Sequence, residues 1–328
     1  MNNSGRMSGR EVLVTMVLIV VILLGYSAYE IISMGSPVYL WPIGLVIFSA
    51  CGISWGILAV KKRREREQRE AFERERKERL AGAVDVDVVK ALEERDADVE
   101  VDDNGEVLSV YLRGDQVTDA VLTHLKRLSK LQTLDLGDTQ ITDAGLVHLK
   151  SLNDLQYLSL QGTQVADAGL VHLKGMASLE HLGLGRTQVT DAGLVHLKGV
   201  VNLERLSLNG SKITDAGLVN LKGLSNLQYL WLDNTAITGP GLVHLKGLTE
   251  LRRLTLVDAK VTDAGLVHLK QMTNLRELWL TSTQITDSGL VHLKELTSLT
   301  MLNLSGTKVT DAGIVELQEA LPNCKITK

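Results

Sequence analysis

The sequence predicts an α/β solenoid, a right-handed horseshoe with a parallel sheet on its concave side and short helices on its convex side. Residues 107–324 align with themselves at a period of 24 residues, in nine units. Each unit opens on Leu-x-x-Leu-x-Leu, the alternation of a short strand, and continues into a helix-like Thr-Asp-Ala-Gly-Leu segment. A period in this range is typical of folds that add one strand and one helix per turn. A transmembrane helical hairpin is predicted to precede the solenoid.

Two apolar runs near the N-terminus predict the hairpin. Residues 12–29 hold 18 residues and residues 39–60 hold 22, none of them charged. About 20 helical residues cross a hydrocarbon core of about 30 Å. A cleaved signal peptide is the alternative for the first run, because Arg6 and Arg10 precede it. The second run follows after only nine residues and favours two spanning helices.

The distribution of positive charge predicts how the hairpin is oriented. The N-terminal tail, residues 1–11, and the segment after the second run both carry arginine, whereas the connecting residues 30–38 carry no Lys or Arg. Basic flanks favour the cytoplasmic side, so we expect a multi-pass inner-membrane protein whose repeats face the cytoplasm. Gly52 and Gly56 form a GxxxG spacing that lets two helices approach closely, within the hairpin or in a helix–helix dimer.

Residues 61–80 form a charged segment with ten Lys/Arg and six Glu. Opposite charges recur four positions apart, which predicts an exposed single helix of about 30 Å. Over residues 81–328 the chain has 23 basic and 31 acidic residues, a net charge of −8. Nucleic acid is therefore not an expected partner, since its recognition needs a basic face.

Polar segments are predicted to cap the solenoid at both ends. At the front, residues 81–106 read as a helix over 85–95, a strand near 98–102 and an Asp-Asn-Gly turn. At the back, the period is lost before the C-terminal cap ends at residue 328. Two cysteines make no disulfide framework, and we expect Cys324 to be a small buried residue rather than a reactive thiol.

Each recurring column of the repeat has an expected packing role. In one unit the inward residues are Leu131, Leu134, Leu136, Ile141, Leu146, Leu149 and Leu152. Asp143 is expected to be the N-cap of its own helix. In one variant unit Gly239 replaces this aspartate before Pro240, which we interpret as a retained cap position. The glycine that follows, such as Gly145, is expected to allow close approach of neighbouring turns.

These columns resemble a known family. The Leu-rich strand with a "TDAGL" helix start, over residues 107–324, resembles bacterial leucine-rich-repeat proteins, here with a membrane anchor. The pattern is also similar to the cysteine-containing leucine-rich repeats of F-box proteins, with Thr139, Thr163 and Thr187 near the usual Asn or Cys. The resemblance implies a horseshoe fold and a role in protein binding. No F-box precedes the repeats, so no ubiquitin-ligase role is implied.

A histidine column and a lysine column repeat beside the leucines, for example His148 and Lys150. They fall off the leucine stripe and are expected on the convex surface. Stacked imidazoles offer a metal site as the alternative, but no Cys, Asp or Glu column completes a zinc-like ligand set. We therefore predict a solvated face, with no metal and no cofactor.

Function is expected where the units differ, on the concave side of the strands. Two tryptophans lie there in one strand column, with aromatic and arginine residues of the kind enriched at binding hot spots. The predicted partner-binding residues are Tyr157, His181, Arg205, Tyr229, Trp231, Asp233, Arg253, Glu277 and Trp279. The alternative is that tryptophan is merely tolerated at this half-exposed position.

Together these features predict a membrane-tethered scaffold that binds a protein or peptide partner on its concave face. The alternative is an extracytoplasmic ligand-sensing domain of receptor type, anchored by the N-terminal apolar segment. An enzyme is not predicted, because the sequence has no nucleophile elbow, P-loop, dinucleotide fingerprint or HExxH motif.

Overall fold

The computed structural model describes the backbone of residues 40–328 and the side chains of residues 60–328. It divides into two compact units, Met1–Arg76 and Lys77–Lys328. The predicted span 12–29 lies outside the described residues. In the second span, residue 39 and the side chains of residues 40–59, which include the Gly52–Gly56 pair, lie outside them too. Within the described part, no helix is both long and apolar enough to cross a membrane.

The first described element is helix α1 (Leu40–Ala81), which includes the charged segment. Exposed ion pairs join residues one helical turn apart: Lys61 with Glu65 at 4.0 Å, Arg63 with Glu67 at 2.8 Å and Arg66 with Glu70 at 2.9 Å. Ion pairs between solvent-exposed side chains stabilise a helix only slightly.

The N-terminal end of the repeat unit has the helix and the hairpin that its sequence predicts. Helix α2 (Val86–Glu93) buries Val88, Val89 and Leu92. Strand β1 (Asp98–Val101) pairs antiparallel with β2 (Val107–Tyr111), so the edge of the repeat sheet is covered by a hairpin.

One strand per repeat then builds a sheet of eleven strands, in which β2 and all later strands run parallel. These strands are β4 (Thr133–Asp135), β6 (Tyr157–Ser159), β7 (His181–Gly183), β8 (Arg205–Ser207), β9 (Tyr229–Trp231), β10 (Arg253–Thr255), β11 (Glu277–Trp279), β12 (Met301–Asn303) and β13 (Lys325–Thr327). Two short segments, β3 (Gly114–Thr118) and β5 (Thr139–Gln140), pair separately. Register is fixed because the central leucines align, as Leu158 does with Leu182.

The opposite side of the repeats is formed mainly by 3₁₀ helices. They span Gly145–Ser151, Gly169–Leu173, Gly193–Gly199, Gly217–Leu221, Pro240–Gly247, Val267–Leu269 and Val291–Leu293. The α-helices on this side are α3 (Asp119–Leu125), α4 (Asp263–Leu266), α5 (Asp287–Leu290) and α6 (Asp311–Ala320). Leucines spaced by three, such as Leu146 and Leu149, align on one face because a 3₁₀ helix has three residues per turn.

A hydroxyl column closes the turn after most strands of the repeats, with Ala259 as an exception. Thr139 is 1% exposed, and its hydroxyl donates to the carbonyl of Leu136 at 2.7 Å. Thr163, Thr187 and Ser211 make the same bond. This bond satisfies a polar group inside the leucine core, which explains why threonine is acceptable in this column.

The aspartate column does not cap its own helix, so that prediction was wrong. Asp191 instead accepts two hydrogen bonds from the next repeat, from the Thr214 amide at 2.8 Å and the Thr214 hydroxyl at 2.6 Å. The helix start is served by threonine: the Thr214 hydroxyl accepts from the Ala216 amide at 3.2 Å. Gly239 does occupy the N-cap position of the helix Pro240–Gly247, as predicted, but without a carboxylate it makes no side-chain hydrogen bond to the next repeat.

The glycine column allows the close approach that was expected of it. A Cβ at Gly193 would lie against the Asp167 carboxylate, 3.1 Å from Leu170 Cδ1 and 3.2 Å from Asp167 Cα. At the far end, Cys324 is buried at 4% exposure, as predicted, and burial raises the pKa of its thiol.

Candidate partner-binding site on the concave sheet

The parallel register arranges the predicted residues in two rows on the concave side. The first row runs Tyr157, His181, Arg205, Tyr229, Arg253 and Glu277 on six adjacent strands. The second row contains Trp231, Thr255 and Trp279 on three adjacent strands. Eight of the nine predicted residues therefore lie in these rows, and Asp233 lies two residues beyond Trp231. The contacts divide the eight into two groups.

The larger group is centred on Tyr229. The guanidinium carbon of Arg205 lies 4.6 Å from the centre of its ring, and that of Arg253 lies 5.7 Å away. Trp231 stacks beside the same ring, with 5.9 Å between centroids and 16° between planes. A cation over an aromatic face is attracted to the ring quadrupole, so these contacts hold the side chains in place.

Arg253 also bonds to Glu277 on the next strand. Its Nη2 lies 2.8 Å from Oε1 and 2.6 Å from Oε2 of that carboxylate. The two side chains are 34% and 26% exposed, so this pair is better shielded from water than the pairs on α1. We call Arg205, Tyr229, Trp231, Arg253, Thr255, Glu277 and Trp279 the concave patch.

Three polar atoms of the concave patch are buried without a hydrogen-bond partner. They are Arg253 Nε, Thr255 Oγ1 and Trp279 Nε1. The only other such atom among the described side chains is His172 Nδ1, which lies on a 3₁₀ helix. An unpaired buried polar group costs about 1–3 kcal/mol, so native proteins hold few of them.

Thr255 faces the concave side but was not among the predicted binding residues, and it is 6% exposed between the two tryptophan strands. A small residue between two large aromatic residues in one column was the available signal.

The second group, Tyr157 and His181, lies toward the N-terminal end of the sheet. Their rings meet edge to face with 5.8 Å between centroids. With Tyr111, Thr133, Gln156 and Glu180 they line a depression of about 300 Å³. Burial and the nearby Arg205 lower the pKa of His181, and burial and Asp135 raise the pKa of Tyr157. Both rings are therefore uncharged near neutral pH.

Asp233 has a contact that its prediction as a binding residue did not include. Its carboxylate accepts from the Val257 amide at 2.9 Å, and its own amide donates to Asn209 at 2.8 Å. Asp233 thus links three consecutive repeats at the edge of the concave patch.

The convex side carries the columns that all repeats share. Val147, Val171 and Val195 are 42–44% exposed beside the exposed lysines, while the histidines are half-buried. Burial and Lys150 lower the pKa of His172. No group of three or more His, Cys, Asp or Glu is placed to hold a metal within the described part of the chain.

Comparison with known proteins agrees with this architecture. Residues 122–150, 201–222, 271–294 and 295–317 match the family model described as "Leucine Rich repeat". Leucine-rich repeats are thus identified in these four segments. A search of curated proteins gave no match.

Two solved structures resemble the chain in fold. Internalin C2 of Listeria monocytogenes shares 29% identity at a TM-score of 0.50, over 64% of this chain and 84% of that one. A chain of the mouse RP105/MD-1 complex shares 20% identity at a TM-score of 0.52, over 67% of this chain and 38% of that one. The second likeness concerns the fold alone.

Proposed function

We propose that the chain is a non-enzymatic, membrane-tethered scaffold whose concave patch binds a protein or peptide partner. The observation that carries this is the ordered set of Arg205, Tyr229, Trp231 and Arg253, which lies outside the leucine core. Aromatic and arginine side chains held in position before binding lose little conformational entropy on association. The leucine-rich repeats supply the rigid frame that holds them.

The uniformity of the opposite face supports this choice. The convex columns repeat Val, His and Lys almost unchanged, whereas the concave rows change residue type at nearly every strand. A single partner is better specified by a set of different side chains than by identical ones.

Tethering is proposed from the apolar runs 12–29 and 39–60, with the repeats in the cytoplasm on the charge distribution. Helix α1 includes residues 40–60 of the second run together with the charged segment. Protease digestion of a C-terminally tagged chain tests the sidedness. We expect protection in spheroplasts and digestion in inverted vesicles. Digestion in intact spheroplasts would contradict cytoplasmic repeats and favour an extracytoplasmic ligand-sensing domain.

Site-specific photocrosslinking in cells tests the binding face. A photoreactive residue at Ser207, in the second concave row, should crosslink to a discrete partner. The matched control at Lys198, on the convex side of the preceding repeat, should not. The crosslink should weaken when Trp279 is changed to alanine. Equal crosslinking from both positions, or an unchanged crosslink in the Trp279→Ala chain, would contradict concave binding.

A further inference from the structure

The unpartnered atoms of the concave patch have a chemistry in common. Indole Nε1 of Trp279 and guanidinium Nε of Arg253 are donors only, and the Thr255 hydroxyl both donates and accepts. A ligand group that satisfies these three atoms must therefore be rich in hydrogen-bond acceptors. A carboxylate offers two oxygens with several lone pairs and no donor, and it matches the fork of a guanidinium.

Positively charged residues on and beside the same strands also favour an anionic ligand. Arg205 and Arg253 lie on β8 and β10, and Arg252 and Arg276 directly precede β10 and β11. Among the described side chains, no carboxylate is within ion-pair distance of Arg205, Arg252 or Arg276, while Arg253 is paired with Glu277.

The acidic residues here are fewer. On β8 to β11 and the residue before each strand they are Glu204 and Glu277, and Glu277 already bonds to Arg253. Beyond the strand ends, Asp233 bonds to the Val257 amide and Asp258 follows β10. Toward the N-terminal end, the strands β4, β6 and β7 carry Asp135 and no Lys or Arg. The basic strip is thus local, in a region of net charge −8.

We propose that the concave patch with Arg252 and Arg276 recognises an acidic polypeptide segment, through its Asp or Glu carboxylates. This inference rests on the proposed function and names the chemistry of its partner. The guanidiniums attract and orient carboxylates, the indole and Arg253 Nε donate to them, and the faces of Trp231 and Tyr229 receive apolar atoms of the segment. Because residues 81–328 are otherwise acidic, such a segment is repelled elsewhere on the repeats and directed to this strip.

Binding at this strip moves an aromatic side chain. The three unpartnered atoms are shielded from solvent, so we expect the Trp279 indole to move when an acceptor reaches its Nε1. A change in Trp279 fluorescence is therefore expected on binding.

Selection from a phage library of random dodecapeptides tests the inference on the full chain in detergent micelles. Peptides selected by the wild type should be enriched in Asp and Glu. An Arg252→Glu/Arg276→Glu chain should lose affinity for synthetic copies of them by about tenfold or more. A Lys174→Glu/Lys198→Glu chain changes net charge equally on the convex side and should retain the affinity. Thermal unfolding checks that both variants fold.

Other outcomes separate this inference from the proposed function. Selected peptides that lack acidic enrichment but still block the Ser207 crosslink would overturn the acidic partner and leave concave binding intact. Acidic peptides that bind the Arg252→Glu/Arg276→Glu chain as well as the wild type would also overturn it. Binding only after Glu is replaced by phosphoserine would assign a phosphopeptide instead. If no selected peptide blocks the crosslink, the proposed function fails too.

Discussion

Two junctions between repeats differ in the aspartate column, and the difference shows what the aspartate does. At one, Asp191 accepts from both the amide and the hydroxyl of Thr214. At the other, Gly239 has no side-chain acceptor, and the Thr262 amide donates to the Thr238 carbonyl at 3.3 Å. Backbone then approaches backbone: a Cβ at Gly239 would lie 2.7 Å from Gly265 Cα. The aspartate is thus a tie to the next repeat that close backbone packing can replace.

A third junction is intermediate between them. Asp143 accepts from the amide of Ala166 at 2.7 Å, but alanine has no hydroxyl to donate. These three junctions therefore form a graded series, in which the residue of the aspartate column accepts two, one or no side-chain hydrogen bonds from the next repeat. Substitutions can be matched across this series, and the largest effects are expected where backbone packing is tightest.

Gly241→Ala should have the largest effect. Its Cβ would lie 2.6 Å from Asp215 Cα and 2.7 Å from Asp215 O, so the backbone of the neighbouring repeat must move. We expect a loss of about 3 kcal/mol in the free energy of unfolding, measured by urea denaturation of the full chain in micelles. Gly223→Ala is the control, since its Cβ meets nothing within 4 Å and should change stability little. Equal losses would show that the junction is not tightly packed.

Asp191→Ala should come next, with a loss of about 2–3 kcal/mol, because it leaves the Thr214 amide without an acceptor and removes the hydroxyl bond. Asp143→Ala removes only the bond from the Ala166 amide and should cost about 1–2 kcal/mol. The same denaturation measurement applies. A larger loss for Asp143→Ala would reverse the order of the series.

Thr214→Val should cost about 1 kcal/mol, since its hydroxyl donates to Asp191 and accepts from Ala216. Thr262→Val changes the same column at the glycine junction, where the hydroxyl makes no capping bond. We expect almost no change there. A comparable loss at both positions would mean that threonine acts through packing alone.

The smallest effect is expected from acid. The hydroxyl and amide of Thr310 lower the pKa of Asp287 below its ordinary value of 3.8. The unfolded chain then takes up this proton more readily, so the stabilisation is complete above that value and is lost as pH falls through the folded pKa. Asp287→Asn should therefore flatten the dependence of the melting temperature on pH below about 4. An unchanged acid dependence would exclude Asp287 as a contributor.

Much of the fold could be predicted because the spacing of the leucines determines which residues form the strands and which are buried. The period fixed the strand of every repeat, and the inward residues Leu134 and Leu146 are fully buried as expected. The concave rows followed from the same register. The destination of a side chain that leaves its own repeat could not be predicted: Asp191 lies near its own helix start in sequence, and its partner lies in the next repeat.

The sequence by itself determined the repeat, its inward columns and the residues available to the concave face, because periodic burial of apolar groups is a local rule. Only the tertiary structure decided which side chains meet. It joined Tyr229 to arginines on both neighbouring strands, and it left Arg253 Nε, Thr255 Oγ1 and Trp279 Nε1 without partners. Hydrogen bonds and ring contacts depend on distances of a few ångströms across repeats, which stacking sets and sequence spacing does not.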